Sequence, residues 1–219
     1  MRVAVVGGHG QIARLLHPLL VAAGHRPVAL VRREEQRPAL EAVGAEVRLL
    51  DIENDDVHAF ARAFAGCDAV VFSAGGGPDG NARRKQTVDL EGSLKSAAAA
   101  PVAGISRFVQ ISAIDVDRPV APDTGEVWAA YVAAKRDADA ALRAGSLDWT
   151  ILRPGRLTDD PATGRVALGP DVARGDVTRA DVAAVVAAVL VRAETTGHQW
   201  NLVGGDVAVA EAITTALNA

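Results

Sequence analysis

Short apolar runs without polar alternation recur at residues 3–6, 27–31, 46–50, 69–73, 107–112 and 149–153. Each has strand length, and a strand with one wet face would alternate, so these runs predict strands covered on both faces. Between them, apolar residues three and four apart predict helices over 11–23, 34–42, 55–64, 84–100 and 127–143. Alternating strand and helix predicts βαβ units and a parallel sheet. Gly24, Gly44, Gly66, Gly104 and Gly145 each follow a predicted helix, where a left-handed terminal residue is usually glycine. Beyond Pro154 the pattern loosens. A helix over 178–191 is opened by Thr178 with Asp181 three residues on, a short strand covers 198–205, and a helix over 209–218 closes the chain. The expectation is a single α/β domain over 1–219, doubly wound, with helices on both faces of the sheet.

The totals narrow this picture in three ways. Aromatic residues are only 4% of the 219, against 49% hydrophobic overall, which predicts a core of small aliphatics packed between helices and sheet. A formal net charge of −4 supplies no basic face for nucleic acid or anionic membrane. Cys67 is the only cysteine, so no intrachain disulfide forms and a structural zinc site lacks thiolates; in its apolar run it reads as a small buried hydrophobe. No stretch approaches eighteen uninterrupted apolar residues, and the N-terminus runs straight into a strand. The expected protein is cytoplasmic, monomeric or homodimeric, and acts on a small molecule without a nucleic-acid or membrane partner.

The stretch "VAVVGGHGQIARLL" puts three glycines at the first strand-to-helix turn. In a parallel sheet that turn is where a dinucleotide's pyrophosphate meets a helix N-terminus, drawn by free N–H groups and the helix dipole. Two registers fit, Gly7-x-x-Gly10-x-x-Ala13 and Gly8-x-Gly10-x-x-Ala13, and both make the backbone from Gly8 through His9, Gly10 and Gln11 to Ile12 the phosphate cradle. His9 is either a phosphate contact or a solvent-facing loop residue. The second strand ends in Arg32 and Arg33 with no acid before Glu34, and a guanidinium matches the 2′-phosphate of NADP(H), so NADP is expected over NAD unless "RREEQR" is only a solvated helix start. In "LLDIEND", Asp51 either accepts from the adenine amino group while Ile52 packs on the ring, or caps the next helix. The loop "SAGGGPDG", with Ser73, Ala74 and Gly75 at its head, either lies under the cofactor or marks flexibility.

Tyr131 and Lys135 lie four apart on a predicted helix, hence on one face, and an ammonium one turn from a phenol lowers the phenol's pKa towards acid–base use. Ser112 ends a strand at the carboxyl edge of the sheet, where ligands bind in open α/β folds. Residues 113–128, between serine and tyrosine, are expected to form a substrate lid, with Trp128 lining the pocket or packing.

Together "VVGGHGQIA", Arg32, "LLDIEND", "SAGGG", Ser112, the Tyr131–Lys135 pair and "LRPGRLTD" resemble the short-chain dehydrogenase/reductases. The likeness is to their compact atypical members, of NAD-dependent epimerase/dehydratase-like and NmrA-like type, and it covers nearly the whole chain. It implies a Rossmann-type sheet with a small C-terminal substrate-side segment over about 154–219. It implies Tyr131 as proton donor or acceptor, Lys135 on the nicotinamide ribose, Ser112 orienting a substrate carbonyl, and Pro154 and Arg156 near the nicotinamide. Asp89 stands where the family usually has asparagine; an ionised carboxylate accepts hydrogen bonds and cannot donate them, which disfavours an amide-based water relay. Ala13 replaces a third glycine. The implied activity is an NADP-dependent oxidoreductase, with epimerisation or dehydration as variants; a non-catalytic NADP-binding sensor or assembly factor and a direct-transfer flavin or quinone reductase are the alternatives.

Overall fold

The computed structural model describes residues 1–77, 80–121 and 123–219; Pro78 and Asp79 of the glycine-rich loop and Pro122 of the expected lid lie outside the described residues. In chain order the elements are β1 (Arg2–Val6), α1 (Gln11–Ala22), β2 (Arg26–Val31), α2 (Arg37–Glu41), β3 (Glu46–Leu49), α3 (Val57–Phe64) and β4 (Ala69–Phe72). There follow α4 (Ala82–Arg84), α5 (Glu91–Val102), β5 (Arg107–Ile111), α6 (Glu126–Ala144), β6 (Asp148–Pro154), β7 (Arg156–Thr158) and β8 (Arg165–Gly169). The chain closes with β9 (Asp176–Thr178), α7 (Arg179–Leu190), β10 (His198–Gly204), β11 (Val207–Ala208) and α8 (Val209–Leu217).

Among the described residues the main sheet has nine strands in the order β11-β8-β10-β6-β5-β4-β1-β2-β3. The seven from β10 to β3 run parallel, and β8 pairs antiparallel with β10 and with β11. This is a doubly wound, Rossmann-like α/β fold. The unalternated apolar runs have a direct cause in β1. Val3 and Val5 join one layer with Leu16 and Leu20 of α1 and Val182 and Val186 of α7. Ala4 and Val6 join the other, with Phe60 and Phe64 of α3 and Leu142 of α6. Each such fully buried Val, Leu or Phe is worth about 1.5–3 kcal/mol over exposure.

The departures from expectation have local reasons. The helix expected at 34–42 is a 3₁₀ turn over Glu34–Gln36 followed by the short α2, because Pro38 lacks the N–H that a continuous helix would donate to Glu34. The helix expected at 84–100 is α4, then a π-helical stretch Lys85–Leu90, then α5. Gly24, Gly44, Gly66 and Gly104 are left-handed, whereas Gly145 is extended with φ −84° and ψ −179°, since the chain there leaves α6 directly towards β6. The loose C-terminal pattern concealed β7, β8, β9 and β11, which are two to five residues long and too short to show a period. No helix among the described residues is long and apolar enough to cross a membrane.

Gly155 joins β6 to β7 where a Cβ would lie 2.0 Å from the Gly175 carbonyl oxygen. Gly155→Ala therefore forces two backbones apart and is expected to cost about 3 kcal/mol, read from the urea midpoint at unchanged m-value.

Candidate functional site

The strand order reverses between β1 and β4, because α1 carries the chain from β1 to β2 on one side and α3 brings it back to β4 on the other. A crevice opens there, at the carboxyl ends of the strands. The glycine turn occupies it by close approach. Gly7 has φ +77°, and a Cβ on it would sit 2.8 Å from the Ala74 Cα; a Cβ on Gly8 would sit 2.8 Å from the Ala29 Cα. The Gly8 amide donates to the Leu30 carbonyl (3.0 Å) and the Gly10 amide to the Gly7 carbonyl (2.8 Å). The cradle expected from Gly8 to Ile12 thus narrows: Gly8 is already engaged with β2, while the amides of His9, Gln11 and Ile12 have no acceptor among the described residues.

Beneath the turn, His17 of α1 is fully buried and its Nε2–H donates to the Gly8 carbonyl at 2.7 Å. Burial holds the His17 pKa below its ordinary value, more than the bond to Gly8 raises it, so the ring is neutral. The sequence alone hid this residue inside a helix pattern. At the surface of the turn, His9 also has a lowered pKa, from partial burial first and then from the cations Arg14 and Arg33.

A cavity of about 260 Å³ lies over the turn. Gly7, His9, Gly10 and Arg32 line one part of it. Asp51 and Ile52 after β3, and Ser73, Ala74 and Gly75 after β4, line the rest. Among its polar and charged lining residues, Gln36, Glu53 and Arg84 were not singled out from the sequence. Arg33 is exposed and outside the lining, and Ile12 is buried in the core. Asp51 does not cap α3; Asp56 does, accepting from the Ala59 amide at 2.8 Å. The Asp51 carboxylate instead accepts from the Glu53 amide (3.0 Å) and from Asn54 Nδ2 (2.9 Å), which turns the loop so that Ile52 and Glu53 reach the cavity.

Beyond Ala74 a buried polar cluster begins. Lys135 Nζ lies 3.2 Å from Asp89 Oδ1 and donates to the carbonyls of Ile111 (3.2 Å) and Ala74 (3.5 Å). Asp89 Oδ2 accepts from the Gly76 amide at 2.8 Å, so the residue in the asparagine position pins the loop after β4. Its π-helical backbone brings Lys85 of the same segment to 5.8 Å from the Tyr131 ring centre, against 5.9 Å for Lys135. The expected lowering of the Tyr131 pKa is not found: burial pushes it up, and although Lys135 pulls it down, Asp89 and Asp139 oppose that pull. The Tyr131 hydroxyl has no hydrogen bond among the described residues, while Trp128, half exposed, packs on its ring at 5.3 Å.

Ser112 is committed elsewhere. Its hydroxyl donates to Asp139 Oδ2 (2.8 Å), which also accepts from Arg153 Nε (2.8 Å), and Gln110 Nε2 donates to Asp139 Oδ1 (2.7 Å). Ser93 closes the chain by donating to Gln110 Oε1 at 2.6 Å. Asp139 follows Tyr131 and Lys135 at the same helical spacing, and that repeat of four was the signal available for it. Arg153 also reaches Asp117 at 2.5 Å, and the Ile114 amide donates to the Pro154 carbonyl at 2.9 Å. The first part of the expected lid is therefore fastened to β6, with Val116 buried, and only its later part is exposed. Arg156 stands on the separate β7–β9 pair, exposed and held by Asp176, apart from the cavity.

The profile of a family described as NAD(P)H-binding matches residues 7–193. The chain is 39% identical over 214 residues to a Bacillus subtilis protein named uncharacterized sugar epimerase YhfK, covering 97% of this chain and 99% of that one. Among solved structures, a candidate NAD-dependent epimerase/dehydratase of Bacillus halodurans is 39% identical with a TM-score of 0.89, over 98% of this chain and 99% of the other. The oxidoreductase ylbE of Lactococcus lactis is 27% identical with a TM-score of 0.88, over 100% and 98%.

Because His17 is neutral and buried in the folded state, the unfolded chain takes up its proton first as pH falls below the ordinary histidine value of 6.5. Stability is accordingly full above that pH and declines below it. His17→Gln, which keeps a neutral donor, is expected to flatten this part of the melting-temperature profile between pH 7 and about 5.

Proposed function

The chain belongs to the NAD(P)H-binding family, and we propose that it is an NADP(H)-dependent oxidoreductase that reduces a carbonyl on a small substrate, with Tyr131 as the proton donor. The glycine turn supports the cofactor part of this reading: a Cβ at Gly7 or Gly8 would collide with neighbouring backbone, and the unengaged amides at the head of α1 suit a diphosphate. Arg32 favours the 2′-phosphorylated adenosine, and Ile52 and Ala74 offer apolar surface to the adenine and its ribose. When bound, the nucleotide supplies the hydrogen and two electrons that reduce the carbonyl carbon.

The observation that carries the role of Tyr131 is the state of its hydroxyl. Burial keeps its hydroxyl protonated, and no protein group among the described residues takes its hydrogen bond. Tyr131 gives this proton to the substrate oxygen, and the ammonium groups of Lys135 and Lys85 near its ring balance the tyrosinate left behind. Asp89 holds Lys135 in place and offsets part of its pull on the tyrosine. A second reading rests on the same groups: with Ser112 held by Asp139 and Lys135 held by Asp89, the nucleotide would serve as a bound signal or transfer directly to a flavin or quinone without Tyr131.

Titration by fluorescence is expected to show NADPH binding more tightly than NADH. Tyr131→Phe is expected to lower carbonyl reduction by about 10²-fold or more while NADPH still binds; undiminished turnover in that variant selects the second reading. The reduction rate is expected to stay flat as pH rises through neutrality and to fall only above the ordinary tyrosine value of 10.0.

A further inference from the structure

Two guanidinium groups from different elements converge on one carboxylate oxygen inside the cavity. Arg32 Nη1, at the end of β2, lies 3.4 Å from Glu53 Oε2, and Arg84 Nε, on α4, lies 3.5 Å from the same atom. The other oxygen, Oε1, accepts from the Thr87 hydroxyl at 2.8 Å. Both contacts are long for charge-assisted bonds, which close to about 2.7–2.9 Å when geometry is ideal. All three charged residues line the cavity, and none is fully buried, so the arrangement is open to exchange. Asp51 does not compete, since its carboxylate is occupied by its own turn.

We infer that Glu53 marks the position of the adenosine 2′-phosphate, that Arg84 is the second ligand of that phosphate beside Arg32, and that the Glu53 carboxylate is the group the phosphate displaces. This rests on the NADP reading above and assigns the residues that set its strength. At this point the Glu53 carboxylate presents two oxygens and one charge to Arg32, Arg84 and Thr87. A phosphate monoester offers three free oxygens and close to two charges, enough to engage both forks at shorter range. Entry of the phosphate turns the Glu53 carboxylate away from both arginines, and the loss of those contacts limits the preference for the phosphorylated nucleotide. The same carboxylate can accept from an unphosphorylated ribose hydroxyl, which further narrows the gap between the two cofactors.

The test is calorimetric titration of adenosine 2′,5′-bisphosphate and of 5′-AMP into the intact protein, its Arg84→Gln, Arg84→Lys and Glu53→Gln variants, with thermal melts confirming that each is folded. The wild type is expected to prefer the bisphosphate. Arg84→Gln is expected to reduce that preference about tenfold, with Arg84→Lys intermediate because it keeps the charge and loses the fork. Glu53→Gln is expected to raise it about fivefold. A wild type without preference overturns the NADP reading itself. A preference that survives intact in folded Arg84→Gln overturns the role of Arg84 and leaves the NADP reading standing. A preference that is unchanged or lower in Glu53→Gln overturns the displacement and makes Glu53 a residue that merely positions the two arginines.

Discussion

The site depends on how closely the first turn approaches the strands on either side of it. With no side chain at Gly7 or Gly8, the backbone after β1 rests on Ala74 and Ala29, and any Cβ there would collide with a Cα at 2.8 Å. That contact orients α1 with its N-terminus at the switch in strand order, so that amide hydrogens and the positive end of the helix dipole face the crevice. His17 completes it from below. Its neutral ring holds the Gly8 carbonyl, while the amides of His9, Gln11 and Ile12 have no acceptor among the described residues. A small-residue core makes the arrangement possible: alanine at positions 29 and 74 is what permits backbone to lie on backbone.

The deeper half of the site is built on a different principle, the compensation of buried charge. Lys135 and Asp139 share α6, and each meets an opposite charge from another element, Asp89 from the π-helical stretch and Arg153 from β6. Removing one partner of such a pair leaves an uncompensated buried ion at a cost of about 3–5 kcal/mol, so the members of each pair depend on one another. Burial raises the tyrosine's proton affinity first, and the charges of Asp89 and Asp139 add to it. A lysine one helical turn away lowers a phenol's pKa when its charge is uncompensated; here Asp89 and Asp139 offset it, and burial prevails. At the other end of the crevice, Arg32 and Arg84 meet Glu53 at 3.4 and 3.5 Å, and all three side chains keep some exposure to solvent.

The layering, the order of strand and helix through β6 and the glycine turn were legible along the chain, because each follows from a local rule: period, unalternated apolar runs, and glycine where backbone must come close. Four of the five glycine stops proved left-handed on the same logic. Tyr131 and Lys135 were legible as a pair from their spacing, and so, in principle, was Asp139. Other features were not. The 3₁₀ and π-helical segments around Glu34 and Lys85 depend on which carbonyls find partners, and the strands after Pro154 are too short for a period to appear.

By itself, the amino-acid sequence determined that a parallel sheet would be covered on both faces and that a dinucleotide-type turn would follow its first strand, since burial and backbone sterics act over neighbouring residues. Tertiary structure decided the charge state of the site. Glu53 meets Arg84, Asp89 meets Lys135 and Asp139 meets Arg153 across separations of 31, 46 and 14 residues. Whether a lysine activates a tyrosine, or a serine is free to face a substrate, depends on which carboxylate the fold brings beside it, because the strength of a charge at short range is set by its nearest opposite charge and by the water excluded around both.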